Sequence, residues 1–245
     1  CAATSEPGAA ETDSTLMFRK NLWAFAVLLL LPAFCGSGGR RAASETPFGM
    51  LAASDDHSLL PEGCYLLSAY DNIIRSVSER EGNDWRLVSA IAYHESRFTA
   101  DRVSARGAQG LMQVRPVVAR EFGVPAELLS DPAINVRLAN LLLNRIGRML
   151  ELPADMPERE RLGFVLAGDN SGPGHVADAR RLAAAYGEDP DRWEVVARYL
   201  GLKSDPEYYR NEVVRHGRFV GGRQTADYVG AVLARYDRYC GLAER

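Results

Sequence analysis

From Cys64 to Cys240 the apolar residues recur at steps of three and four, and two-residue alternation is rare. A chain patterned this way buries one stripe of each helix against another helix and has no pattern for a large sheet. Leu66, Tyr70, Ile73, Ile74 and Val77 make the first stripe. A second helix begins near Asp84 and sets Val88, Ile91 and Ala92 on one face. Asp131 caps a third, with Pro132 in its first turn. Ile134, Leu138, Leu141, Leu142, Ile146 and Met149 then follow at helical spacing. Further helices are expected at 157–167, 174–186, 191–200 and 224–238, with at most a short β-hairpin around Val213 to Val220. No internal repeat is visible. Residues 63–243 therefore read as one mainly α domain.

The N-terminal quarter obeys a different rule. Arg19 and Lys20 follow Met17, the expected translation start, and the apolar run Leu22 to Phe34 comes next. Charge followed by a short apolar run is the pattern of a secretory signal, here 17–35, and is too short for a comfortable bilayer span. Cys35 precedes Gly36-Ser37-Gly38-Gly39, which resembles a bacterial lipoprotein site where the cysteine takes the lipid. Phe34 stands where a small residue is usual, so a soluble exported form remains the other reading. Residues 36–62 are rich in small residues and read as a flexible linker. Residues 1–16 have no structural reading.

Composition narrows the function. The net charge of −3 gives no basic excess, which weighs against a nucleic-acid binder. The four cysteines contain no C-x-x-C, and His94-Glu95 is not followed by the second histidine of a zinc helix. No metal and no cofactor are expected. Gly172-Pro173-Gly174 with Ala177 mimics a dinucleotide fingerprint, but no strand pattern precedes it.

One acid stands in an unusual place. Glu95 lies seven residues after Val88, four after Ile91 and three after Ala92, which puts it on the apolar side of its helix. Burial disfavours the charged form of a carboxyl and keeps its proton near neutral pH. Such an acid can protonate a glycosidic leaving group. An edge position paired with Arg97 would give the same spacing.

Around it stand His94-Glu95-Ser96-Arg97-Phe98, Val103-Ser104, Gly107-Ala108-Gln109-Gly110-Leu111-Met112-Gln113-Val114, Asn170-Ser171-Gly172-Pro173-Gly174 and Thr225-Ala226-Asp227-Tyr228-Val229. These motifs, in this order, resemble the catalytic domain of soluble-type lytic transglycosylases, the goose-lysozyme-like superfamily. Asp178-Ala179-Arg180-Arg181-Leu182 and Tyr208-Tyr209 make the pattern most like the membrane-bound type F branch. The resemblance implies a lysozyme-like helical fold and a peptidoglycan substrate. It implies Glu95 as the catalytic acid, and Ser104, Met112, Gln113, Asn170 and Tyr228 as substrate-site residues, with Asp169 counted among the substrate-binding residues at the position of the family's tyrosine.

The expected reaction breaks the bond between N-acetylmuramic acid and N-acetylglucosamine and leaves a 1,6-anhydro end. A hydrolytic muramidase and an inactive glycan-binding protein are the alternatives. Asp169 stands where the resembled family usually has tyrosine, Ser171 where alanine is common, and Gln224 where glutamate is common. Asp169 could face solvent, raise the proton affinity of Glu95, or serve as a second carboxylate for hydrolysis. Cys64 and Cys240 are the candidate disulfide once Cys35 is lipidated or removed, with two buried thiols as the other reading. Glycan strands are the expected partner, and the membrane is reached only through a lipid on Cys35. Nucleic acid is not expected.

Overall fold

The computed structural model describes residues 66–243. The signal segment, the linker, Cys35 and Cys64 lie outside the described residues. Helices run in the order α1 (Asp71–Arg80), α2 (Trp85–Ser96), α3 (Pro116–Glu121), α4 (Pro132–Met149), α5 (Glu158–Ser171), α6 (Pro173–Ala185), α7 (Trp193–Leu202), α8 (Pro206–Tyr209) and α9 (Gly222–Ala243). A 3-10 turn at Ala126–Ser130 precedes α4. The described residues hold no strand, only isolated antiparallel bridges of Gln109 to Val103 and to Val114.

The helices start where side chains can satisfy free backbone amides. Asp71 accepts from the amides of Leu66, Leu67 and Ser68 at 2.8, 2.8 and 2.9 Å, so α1 begins only there. Leu66, expected in the first apolar stripe, is outside the helix and exposed. Asp84 caps α2 by accepting from Arg86 N at 2.8 Å, and Asp131 caps α4 by accepting from Ile134 N at 3.0 Å. Pro132 takes the first turn of α4, where its missing N–H costs nothing.

Helix α2 packs against α1 and α9, while α5 touches α4, α6, α7 and α9. Val88, Ile91, Leu111, Phe164, Leu166, Leu200, Val229 and Val232 are buried in the common core. One residue, Gly172, joins α5 to α6 at φ 91°, a backbone conformation that glycine adopts without a Cβ penalty. The apparent dinucleotide motif is therefore a helix-to-helix joint, with Pro173 opening α6.

The hairpin envisaged at Val213 to Val220 does not form. The segment is irregular and is tied down by Asp178, which accepts from the amides of Arg215 and His216 at 2.8 Å each. Lys203 Nζ donates to the same carboxylate at 2.5 Å, and both side chains are fully buried. Phe219 N donates to the Lys203 carbonyl. A buried ion pair has taken the backbone donors that a hairpin would have used. Cys240 is half-buried on α9 and has no disulfide partner among the described residues, while Cys64, its candidate partner, lies outside them. Among the described residues, no helix is long and apolar enough to cross a membrane. None of their His, Cys, Asp and Glu side chains form a group of three or more suited to a metal ion.

Candidate active site

The last turn of α2 carries Glu95, and the helix ends at the next residue, Ser96, because Arg97 turns left-handed at φ 58°. Phe98 follows at φ 60° and Gln113 sits at φ 48°. Left-handed non-glycine residues are costly and persist where the surroundings hold them. Here they bracket the loop between α2 and α3.

That loop is fixed by a residue the sequence reading did not single out. Asn135, fully buried on α4, accepts from Met112 N at 2.8 Å and donates to the carbonyls of Gln109 and Leu129 at 2.9 and 3.0 Å. Gly110 lies directly beneath it at φ +80°, and a Cβ there would fall 2.4 Å from Asn135 Nδ2. The Gly-Leu-Met-Gln segment thus needs both residues. The signal was present, since Asn135 is a polar residue three positions before Leu138 and seven before Leu142, on their apolar face.

Glu95, Met112, Gln113 and Asp169 line one cleft of about 920 Å³, open solvent included. Its apolar wall includes Val117, Val118, Leu142, Ile146 and Met149, and the Arg145–Glu121 ion pair at 2.6 Å lies at its edge. Gln113 Nε2 donates to the carbonyls of Gly110 and Arg102 at 2.9 and 3.1 Å, which pins the loop to the cleft rim.

Tyr228 reaches Glu95 from α9, its phenol donating to Oε1 at 3.0 Å. His94 meets the Tyr228 ring edge-on, with centroids 6.3 Å apart. Burial, with the charges of Arg235 and Arg97, pushes His94 down to about 4, so it is neutral near pH 7.

Two other expected residues stand back from the cleft. Ser104 is in the loop, where its Oγ accepts from Ala108 N at 3.0 Å. Asn170 is buried behind Asp169 and accepts from Thr225 Oγ1 at 2.9 Å, tying α5 to α9.

The electrostatics favour a protonated acid. Burial pushes Glu95 up to about 8, and the charge of Asp169 pushes the same way. The Tyr228 hydrogen bond and the Arg102 charge pull it partly back. Burial pushes Asp169 up to about 7. Tyr228 is raised well above its ordinary value by burial and by both acids, so it remains a donor. A half-buried carboxyl that keeps its proton near neutral pH, at the wall of a partly apolar cleft, can act as a general acid.

This helical domain, with Glu95 presented between the last turn of α2 and α9, matches the transglycosylase SLT domain family model over residues 72–191. The structure is similar to an X-ray structure of an inactive mutant of the lytic transglycosylase Slt from Pseudomonas aeruginosa. That likeness has a TM-score of 0.50 at 22% identity over 72% of this chain and 24% of the other, and it is a likeness of fold. More particularly, the chain is 34% identical over 173 residues to the membrane-bound lytic murein transglycosylase F of Marinobacter nauticus, covering 70% of this chain and 33% of that one. To the protein of the same name from Shewanella pealeana it is 37% identical over 158 residues, covering 64% and 31%. The chain spans about a third of the length of these relatives.

Proposed function

We propose that this chain cleaves peptidoglycan glycan strands as a lytic transglycosylase. The observation that carries the reading is Glu95, raised to about 8 on the cleft wall with the Tyr228 phenol on its Oε1. Glu95 gives its proton to the glycosidic oxygen between N-acetylmuramic acid and N-acetylglucosamine, and the bond from that oxygen to C1 breaks. Positive charge develops at C1 in an oxocarbenium-like state. The substrate's N-acetyl oxygen stabilises it. The Glu95 carboxylate then takes the proton of the C6 hydroxyl, whose oxygen closes onto C1. The product is a 1,6-anhydro end, the acid is regenerated and no water is consumed. The apolar wall suits the C–H faces of sugar rings.

The same reading places the protein in the bacterial cell envelope, facing glycan strands. The names of the relatives support that place. The basic and apolar pattern after Met17 supports export, and Cys35 is the proposed lipid site.

Glu95→Gln keeps the shape and removes the transferable proton. Purified Glu95→Gln protein should keep its melting temperature and lose roughly 100-fold or more in turnover of sacculi. Mass spectrometry of the muropeptides released by the wild type should show anhydro ends. Undiminished lysis by the folded variant would sink the assignment, and reducing ends as the main product would replace it with hydrolysis.

A further inference from the structure

Glu95 and Asp169 both line the cleft, and the reaction above uses only Glu95. Asp169 stands near the end of α5, three residues before the Gly172 joint, and shares the cleft wall with Glu95 from the end of α2. Its neighbour Asn170 is fixed to Thr225 of α9, and Pro173 beyond the joint also lines the cleft. Asp169 is therefore carried on a braced segment. Tyr228 donates to Glu95, and the charges of both acids raise the phenol further. The other charged groups around this site are Arg102 of the loop, whose charge reaches Glu95, Arg115 on the cleft wall, and the Arg145–Glu121 pair at the edge. His94, behind Tyr228, is neutral near pH 7.

Two carboxylates in one site of low polarity repel each other, so the loss of one proton makes the second harder to remove. Burial raises both carboxyls, and the charge of Asp169 raises Glu95 further. We propose that Asp169 is a positioning residue for the proton of Glu95: its carboxylate, facing the same cleft, holds that proton in place as the medium becomes alkaline. The proposal rests on Glu95 being the general acid. It gives Asp169 a task that leaves the substrate untouched and acts only through Glu95.

Carboxyl carbon NMR titration of the wild type and of Asp169→Asn reads the effect without substrate. The Glu95 midpoint should fall by about one pH unit in the variant and stay above an ordinary glutamate, because burial is unchanged. Asp169→Tyr also removes the charge and should shift the midpoint in the same direction, with thermal melts showing both variants folded. On sacculi, the alkaline limb of the kcat profile should move down by the same amount with anhydro products retained. A Glu95 midpoint unchanged in both variants overturns the proposal. So does a wild type releasing reducing ends that disappear in Asp169→Asn, since Asp169 would then activate water. A wild type that leaves sacculi intact while the Glu95 midpoint shifts as expected refutes the catalytic reading and retains the coupling between the two acids.

Discussion

Tyr228 and Asp169 act on Glu95 with opposite signs. A phenol donating to a carboxylate favours ionisation, whereas a neighbouring carboxylate opposes it. Tyr228→Phe should therefore raise the alkaline limit of the pH–rate profile, the reverse of Asp169→Asn. The retained proton is also given up less readily, so the plateau rate should drop by roughly a factor of ten. The lost hydrogen bond should cost stability by about 1 kcal/mol in urea titration. A profile that stays in place would detach Tyr228 from the acid. The spacing from Val88, Ile91 and Ala92 put Glu95 on the apolar side of its helix but allowed an edge acid paired with Arg97, and the resemblance decided between them. Tyr228 was legible only through resemblance, since nothing local tells a cleft tyrosine on α9 from a core one. The placement of Asp169 in the cleft depends on how α5 and α2 both pack on α9, which no local pattern encodes.

At the scale of elements, the helices followed from their period and caps, while the connections were harder to read. The loop from Arg97 to Arg115 takes its shape from Asn135, which lies beyond it in sequence on α4. Asn135→Ala leaves the Met112 amide and two carbonyls without this partner and should cost about 2 kcal/mol or more. Gly110→Ala meets both an unfavourable φ and the Asn135 side chain, and should cost a similar amount. Both should lower turnover while leaving the far-UV helical signal intact, because the loop holds no helix. Turnover equal to wild type in both would separate this loop from the cleft. The segment from Val213 to Val220 shows the converse dependence. Its residue types allow a hairpin, but the acceptor that claims its amides is Asp178, more than a helix away in sequence.

For the molecule as a whole, the Asp178–Lys203 pair joins α6, the end of α7 and the segment leading to α9. Burial would raise Asp178, yet Lys203 and the two backbone donors hold it down to about 2. A carboxyl depressed in the folded state contributes stability above its unfolded value and loses it as pH falls through the folded one. Urea midpoints should therefore decline between about pH 4 and pH 2. Asp178→Asn strands a buried ammonium and should cost about 3–5 kcal/mol at pH 7. Adding Lys203→Met should recover part of that loss. A double variant no more stable than the single would show that the pair is not where the energy lies. The Tyr228 contact spans 133 positions of sequence. Glu95 therefore leaves the ribosome well before its phenol partner, on the order of ten seconds at ordinary translation rates. Until α9 docks on α2, Glu95 lacks the hydrogen bond that the Tyr228 phenol donates to it. A stalled or truncated product carries Glu95 without the α9 phenol that completes its surroundings.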